Sequence, residues 1–490
     1  MRTNHARALA LVLGITLLAS CAADSPSAPS SERAELALTP APGKFRVCHR
    51  PAGKGSILEI GPDGLADHLA HGDYITTLMV GHDPMQPTDA AHFATITGAL
   101  SAARASRTAA GEAVAAACRI SIIVSAGTYQ GTVGSATGDL EHFPMIVDVP
   151  DITLHGALVM ALDAGGRATG EAATPGTSVL APDAPLPFTN SISIPILIAT
   201  SHPGGSAGNG LVVEGFVFQS GHGAQDGLGG QGILGLRALG LAISGNRFEG
   251  GFTEKVDLRA TSADVTNNYF TGPAATCDLC LAGPGTFTAS GNRILAGGIP
   301  GIAVSPTVQL PVPSVVELSV LPGSAETWAT VRNNDVRGHQ RVPVGVGIRL
   351  DAIGVGAPDV HGTIHAVVQD NTVADNRFGM IVHAAFPVAG TALRGDVDMT
   401  LGGNVFQGSC ETDLLVSFAR HSTGMGIDLN PRPYQRNSTF QLALNGNLDW
   451  GDAWVAHPEG FGNTLIVDGA VIPNGTRQFY DATGCPGSEL

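Results

Sequence analysis

One thiol and three imidazoles lie close together in the N-terminal part of the chain. Cys48 and His49 are adjacent, and His68 and His71 are three residues apart, so they would share one face if their segment is helical. A thiolate and neutral imidazoles, with Asp73 nearby, are suitable donors for a tetrahedral divalent site of the zinc type. The sequence therefore predicts a metal site at these four residues.

A second set of polar residues could line a ligand groove further along the chain. An imidazole and a carboxylate lie in the Gly-rich stretch "SGHGAQDG", and two Arg with a His leave one loop in "VRGHQRVPVGVGIRLD". Arg side chains of this kind can hold uronate carboxylates, whereas solvated loop charges are the alternative. The groove candidates are His222, Asp226, Arg337, His339, Arg341 and Asp351.

A short phrase containing Asn recurs through the second half of the chain. Its Asn residues are separated by 22, 24, 42, 37 and 33 residues, which indicates stacked solenoid coils, some with longer loops. Such coils would place each Asn at a bend, where its amide bonds the Asn of the next coil and its backbone tolerates a left-handed conformation. The ladder residues are Asn246, Asn268, Asn292, Asn334, Asn371 and Asn404. The predicted interior stack is Phe218, Phe248, Phe270, Ile294, Val336, Val373 and Phe406, with Phe378 and Ile381 also pointing inward.

The segment before these coils resembles the entrance of a known fold. "FATITGALSAA", "IIVSAGTYQGTV" and "FPMIVDVPDITLHGA" are similar to the start of a right-handed parallel β-helix of the pectin-lyase-like class, including a bacterial family of unknown function. The resemblance implies an all-β, single-stranded β-helix whose N-terminal end is covered by a helix. We expect that helix at 89–118, the solenoid at 119–470 and a C-terminal cap at 471–490.

The Cys/His stretch at 45–80 resembles a small module of secreted bacterial proteins, with the pattern CHxPPG followed by AHLxHGD. The module often has a second Cys soon after HGD, and this chain has "YITT" there, so Cys48 lacks a local partner. A purely structural mini-domain, with Cys48 paired to Cys118, is therefore the alternative to a metal site.

The first residues predict export. "MRTNHARALALVLGITLLASC" has a basic start, a short apolar run and a small-residue end, as in a signal peptide. Its end resembles the bacterial lipobox, which implies cleavage of 1–21 before a lipidated Cys21 and an outer-membrane lipoprotein; an ordinary signal peptide is the alternative. The Ser/Pro/Ala-rich stretch 22–44 indicates a disordered tether.

Six further Cys in an oxidising compartment are compatible with three disulfides. Cys277 and Cys280 form a CxxC, which predicts a local loop disulfide, the alternative being a redox or metal half-site. Cys410 and Cys485 could link the C-terminal cap to the solenoid.

The formal charge of −16 disfavours nucleic acid and anionic lipid surfaces as partners. We expect a monomer that is bound to the membrane through its lipid and has a non-catalytic binding or structural role, with a polysaccharide as the candidate partner. The alternatives are a polysaccharide lyase or glycoside hydrolase, and metal handling in the periplasm. A lyase would need clustered carboxylates with calcium and a basic residue, and a hydrolase would need paired carboxylates. Zinc or calcium is therefore the cofactor to consider.

Overall fold

The computed structural model describes residues 40–41, 43–49, 55–81, 90–110, 118–133, 141–182, 195–200, 209–220, 229–259, 262–295, 300–305, 325–341, 345–351, 361–383, 394–418, 437–450, 453–457, 459 and 461–477. Cys21, Cys485, His222 and Asp226, and the predicted tether before residue 40, lie outside these residues. No helix of the described part is both long enough and apolar enough to cross a membrane.

Three long sheets run side by side and account for most of the described strands. The first sheet has fourteen strands: β4 (Thr77–Val80), β5 (His92–Phe93), β6 (Ile120–Val124), β10 (Ile152–His155), β15 (Val212–Glu214), β18 (Leu241–Ser244), β21 (Ala263–Thr266), β24 (Gly285–Ser290), β27 (Ala325–Arg332), β30 (His361–Gln369), β33 (Arg394–Gly402), β36 (Thr439–Ala443), β38 (Thr464–Val467) and β39 (Ala470–Ile472).

Along most of the solenoid, the chain passes from a strand of the first sheet to the second and then to the third sheet. The second sheet has ten strands: β7 (Gly127–Val133), β8 (Glu141–Phe143), β13 (Ser178–Pro182), β16 (Phe216–Gln219), β19 (Arg247–Glu249), β22 (Tyr269–Thr271), β25 (Arg293–Leu295), β28 (Asp335–Arg337), β31 (Thr372–Ala374) and β34 (Val405–Gln407). The third sheet has eleven: β9 (Met145–Val147), β14 (Pro195–Thr200), β17 (Gly229–Leu236), β20 (Phe252–Arg259), β23 (Ala274–Ala282), β26 (Pro300–Ser305), β29 (Val346–Asp351), β32 (Phe378–His383), β35 (Thr412–Ser417), β37 (Trp454–His457) and β40 (Gly475–Arg477).

Successive strands of each long sheet are parallel, except for the antiparallel pairs β38–β39 and β37–β40 at the C-terminal end. The chain visits the three sheets in turn, as in coil β18–β19–β20, and then repeats one rung further along. This is the predicted single-stranded, right-handed parallel β-helix.

The Asn phrase forms the predicted ladder at the corner between the first and second sheets. Each Nδ2 donates to Oδ1 of the Asn on the next coil at 2.8–3.1 Å, from Asn246 through to Asn404. The ladder extends by one further residue, Asn447, which the sequence repeat had not included. The phrase therefore recurs because the coils of the solenoid stack and each coil supplies one Asn to the ladder.

The left-handed backbone at this corner belongs to the residue before each ladder Asn. Asn267 has a φ of 56° and Asn333 one of 53°, whereas the ladder Asn are not among the described residues with positive φ. The expectation that the ladder Asn itself adopts this conformation was therefore wrong. The phrase needs two residues: a Gly, Asn or Asp that tolerates positive φ, and then the hydrogen-bonding Asn.

The predicted interior stack is also observed. Each of the seven side chains is the register partner of the next, and the rings of Phe218, Phe248 and Phe270 stack with centroids 4.8 and 4.9 Å apart. In β32, however, Met380 and Val382 join the main core, while Phe378 and Ile381 join a separate buried cluster with Leu415 and Trp454. Ile381 lies between two inward residues, and strand alternation turns it to the outer face.

A helix, α2 (Ile96–Ala110), lies at the N-terminal end of the solenoid. Residues 90–95 of the span expected for it are not helical, and residues 111–117 lie outside the described part. Its buried Ile96, Ala99 and Ala103 belong to the main core. The carboxylate of Glu141 accepts hydrogen bonds from the backbone N–H groups of Ile96 and Thr97, at 2.5 and 3.0 Å. A distant side chain thus caps the helix and holds it against the first coils.

The Cys/His module consists of a small antiparallel sheet and one helix. The strands are β1 (Phe45–His49), β2 (Ser56–Ile60) and β3 (Tyr74–Ile75), and the helix is α1 (Pro62–Ala70). Within the predicted 45–80 span, β4 already belongs to the first sheet of the solenoid. The module and the β-helix therefore form one continuous structure.

A hairpin, β11 (Met160–Leu162) and β12 (Ala168–Ala172), runs along the outside of the ladder corner. Arg167 donates to the side chains of Asn333 and Thr372, at 3.0 and 2.9 Å, and to the carbonyl oxygen of Asp370 at 3.2 Å. Asn333 returns a bond of 2.7 Å to the carbonyl of Gly165. The hairpin thus connects coils far apart in sequence.

Candidate functional site

Of the four predicted metal ligands, the structure brings two together and excludes two. Cys48 forms a disulfide with Cys118, so it offers no thiolate, which corrects the predicted ligand set. His71 follows α1 and is exposed, outside the cluster. His49 and His68 instead converge on Asp73.

The two imidazoles share one carboxylate oxygen. The Nδ1 atoms of His49 and His68 lie 2.8 and 2.7 Å from Oδ2 of Asp73, and their rings meet edge to face with centroids 5.5 Å apart. The Asp73 side chain is 3% exposed, whereas those of His49 and His68 are 36% and 25% exposed. This is the one group of three or more His, Cys, Asp or Glu donors that converges among the described residues.

Of the groove candidates, His339 does not face a groove. It is fully buried, and its Nδ1 lies 2.8 Å from Oδ1 of Asn376. The side chain of Arg337 is bound to Asp335 on its own strand. Arg341 ends a short 3₁₀ helix and Asp351 ends β29, and the positions of these two side chains are outside the described part. His339 is therefore not a groove residue, and the predictions for Arg341 and Asp351 concern side chains outside the described part.

His339 belongs to a buried polar group that also contains an ion pair. Lys255 and Asp278 are both fully buried and bonded to each other, and His339 Nε2 lies 3.6 Å from Asp278 Oδ2. Burial opposes the charged carboxylate, but Lys255 and His339 outweigh it and hold the pKa of Asp278 below its ordinary value. With no exposure to solvent, this group is a structural element.

Two carboxylates approach each other on the outer face of the third sheet. Gln231 Nε2 donates to Glu254 Oε2 at 3.0 Å and to Asp257 Oδ2 at 2.9 Å, so the two oxygens are at most about 6 Å apart. Arg259 donates to Asp257 at 2.7 Å. Burial disfavours the guanidinium charge, but Asp257 and Glu254 raise the pKa of Arg259 above its ordinary value. Glu254 and Asp257 are only 8% and 1% exposed, so a polymer in solution does not reach them in this structure.

The disulfide predicted between Cys277 and Cys280 is present, but it lies within strand β23 and not in a loop. Its two residues pair in register with Glu254 and Asp257 and are nearly buried. Cys410 is also disulfide-bonded. Because Cys485 is outside the described residues, the Cys410–Cys485 link stays a prediction.

The outer face of the first sheet carries an aromatic side chain that the sequence reading did not select. Trp328 in β27 is 50% exposed, and it is the one aromatic among the exposed large hydrophobic side chains of the described residues. Its indole is stacked on the ring of His365, its register partner in β30, with centroids 3.9 Å apart and planes at 14°. Asp398 pairs with His365 on the next strand, with His365 Nδ1 and Asp398 Oδ2 3.7 Å apart.

The two faces of the Trp328 indole have different neighbours on the adjacent strands. His365 covers the face toward β30, and the register partner on the other side is Thr286 of β24, a small side chain. An exposed indole in a polar setting of Thr, His and Asp side chains is a common feature of binding sites. The signal for it was present in "ETWATVR", since alternation counted back from Val331 of the Asn phrase places Trp328 outward.

No family model matches the chain, and no curated protein matches it. Among solved structures it is similar to the A-module of an Azotobacter vinelandii mannuronan C-5 epimerase, at 13% identity over 74% of this chain and 84% of that chain, with a TM-score of 0.36. A tailspike protein of E. coli bacteriophage HK620, in complex with a pentasaccharide, matches at 13% identity over 90% and 71%, with a TM-score of 0.42.

The catalytic domain of a GH87 α-1,3-glucanase, in complex with tetrasaccharides, matches at 11% identity over 80% of this chain and 68% of that chain, with a TM-score of 0.32. Identities and TM-scores this low carry no inference about function. The function must therefore be inferred from the chain's own side chains.

Proposed function

We propose that the protein is an exported, non-catalytic carbohydrate-binding β-helix whose ligand lies on the outer face of the first sheet, beside Trp328. The observation that carries the proposal is the half-exposed indole fixed against His365 in a polar surface. A pyranose ring has an apolar C–H face and an equatorial rim of hydroxyls. It can therefore stack on the open indole face while neighbouring polar groups bind its hydroxyls.

The side chains around Trp328 favour one class of saccharide. Glu326 precedes Trp328 by two residues on the same face, and Asp396 and Asp398 lie in register two strands further on. These acidic groups repel uronates and accept hydrogen bonds from hydroxyl or ammonium groups. With the net charge of −16, they point to neutral or amine-bearing glycans.

Binding is tested with the full chain against a panel of neutral, amine-bearing and uronate-containing oligosaccharides, by calorimetry. We expect neutral or amino sugars to bind and Trp328→Ala to weaken binding at least tenfold, equivalent to about 1.4 kcal/mol. Trp328→Phe should retain part of the affinity. A bound ligand should also protect part of the indole fluorescence from acrylamide, because Trp328 is half-exposed, whereas Trp450 is only partly exposed and Trp454 is buried.

Leu239→Ala is the matched control, since Leu239 is 55% exposed but lies outside this face. It should bind as the unmodified protein does. If Trp328→Ala binds equally well, or only uronates bind, the proposed face is wrong.

The polysaccharide lyase or hydrolase alternative has one specific observation in its favour, the Glu254 and Asp257 pair. Separations of this size occur between the two carboxyl groups of retaining glycosidases. Both groups are buried and bound to Gln231 or Arg259, which supports binding over catalysis. Product analysis for reducing ends and unsaturated sugars tests it: cleavage that is lost in Glu254→Gln would establish an enzyme.

Export and anchoring belong to the same proposal. The signal-like N-terminus and Cys21 imply an outer-membrane lipoprotein, and the Cys48–Cys118 and Cys277–Cys280 disulfides support an oxidising compartment. Labelling with a radioactive fatty acid should mark the protein and fail in Cys21→Ala. Labelling that persists in Cys21→Ala would exclude this residue as the lipid site.

A further inference from the structure

We propose that His49, His68 and Asp73 form a surface site for one zinc-like divalent cation. The site is independent of the carbohydrate-binding face. Two imidazole nitrogens and one carboxylate oxygen converge there, with all donor atoms within 4.8 Å of one another. Neutral imidazoles favour zinc and its neighbours in the first transition row, whereas calcium prefers an all-oxygen set, so the donor chemistry selects zinc over calcium.

The backbone holds the three donors in place before any cation arrives. His49 ends β1, one residue after the Cys48–Cys118 disulfide that ties this strand to the start of β6. The carbonyl of His68 accepts hydrogen bonds from the N–H groups of His71 and Asp73, at 3.2 and 3.1 Å, which fixes the turn between α1 and β3. Ligands on a strand, a helix and a tight turn give a preorganised site.

Little movement is needed to accept a cation. Bonds of about 2.0–2.1 Å in tetrahedral geometry place donor atoms about 3.3 Å apart, and the two N–O separations are now 2.8 and 2.7 Å. The two N–O separations therefore need to open by about half an ångström, and the two imidazole nitrogens, now within 4.8 Å of each other, need to reach the same spacing. Each neutral ring would carry its proton on Nε2, leaving Nδ1 free to coordinate.

Three protein ligands leave a fourth position for water or an external ligand. The imidazoles are partly exposed while Asp73 is nearly buried, so this position lies on the solvent side. Structural zinc sites normally have four protein ligands, and a three-ligand site can bind an exogenous group.

The test is zinc and cobalt binding by the tag-free full chain, measured by equilibrium dialysis with elemental analysis and by visible absorption of the cobalt form. We expect one strongly bound zinc and a tetrahedral cobalt spectrum. His49→Ala, His68→Ala and Asp73→Asn should each lower the affinity at least tenfold. The matched control His71→Ala, which removes an exposed imidazole three residues from His68, should bind as before.

Circular dichroism confirms that each variant is folded, and Asp73→Asn keeps the size of the side chain if an alanine variant does not fold. Absence of strong zinc binding by the unmodified chain overturns the proposal, since Asp73 would then only orient two imidazoles by hydrogen bonds. Equal loss in His71→Ala, or no loss in His68→Ala, overturns the ligand assignment. Saccharide binding by the same variants should be unchanged, which separates this site from the carbohydrate face.

Discussion

Asn292 occupies a central rung of the ladder, and its replacement by alanine tests how much the ladder stabilises the β-helix. Its amide is fully buried and makes four hydrogen bonds. Nδ2 donates to the carbonyl of Val265 at 2.8 Å and to Oδ1 of Asn334 at 3.0 Å, while Oδ1 accepts from the backbone and side-chain N–H groups of Asn268 at 3.0 and 3.1 Å.

The expected loss of stability in Asn292→Ala comes from the buried polar groups that alanine leaves without a hydrogen-bond partner. A buried donor or acceptor that loses its hydrogen bond costs about 1–3 kcal/mol. The backbone N–H of Asn268 and the carbonyl of Val265 each lose a contact, and the two neighbouring amides keep their bonds to other rungs. We therefore expect Asn292→Ala to lower the free energy of unfolding by about 3 kcal/mol, near the upper end for single substitutions.

Asn267→Gly is the matched control, because Asn267 lies at the same corner, has a positive φ and is not a ladder residue. Glycine tolerates that conformation, so its effect should stay within about 1 kcal/mol. Urea unfolding followed by circular dichroism measures both variants with the disulfides intact. Hydrogen exchange resolves whether the loss is local to adjacent coils, as expected for a solenoid. Equal stability of the two variants would refute the reasoning.

Three further predictions concern the hairpin, the buried ion pair and pH. Arg167→Ala removes three hydrogen bonds to distant coils and should lower stability by about 1–2 kcal/mol and increase proteolysis within 160–172. Lys255→Met leaves Asp278 buried without its cation, so we expect it to lower the free energy of unfolding by about 3–5 kcal/mol. Most of this loss should be recovered when Asp278→Leu is added, and thermal melting curves measure both variants. Burial lowers the pKa of His457, so the unfolded chain binds the proton more tightly and stability should fall as the pH drops below about 6.5. His457→Gln should flatten that dependence in urea titrations at pH 7 and 5.

The ladder and the interior stack could be predicted from the sequence because each depends on a short residue pattern that recurs in every coil. A corner needs a residue that tolerates positive φ followed by an Asn, and stacking of the coils places residues of the same type above one another. The same rule gives Asn447, since "LNGN" matches the earlier phrases although its separation of 43 residues from Asn404 is long.

The sequence offered the Cys48–Cys118 disulfide as one of two alternatives but could not choose between them, and it could not place His339, because each residue depends on a partner far along the chain. Cys48 pairs with Cys118 across 70 residues, and the Nδ1 of His339 meets Asn376 on the next coil. In the proposed metal site, the signal for Asp73 was its position directly after the HxxH segment, but the sequence could not show that its carboxylate meets both imidazoles while Cys48 is held in a disulfide.

Stacking constrains the two faces of the first sheet differently, and this difference is the reason for placing the proposed site on the outer face. Inside, the register partners Val331, Val368 and Leu401 are all apolar, because a buried column must fill the same space on every rung. Outside, the neighbouring column of Trp328, His365 and Asp398 changes from indole to imidazole to carboxylate over three rungs, which no packing requirement explains. Outer-face positions are not held to one side-chain type by packing, so this column can carry the mixed side chains that the proposed carbohydrate site needs, and it contains the one exposed indole of the described part of the chain.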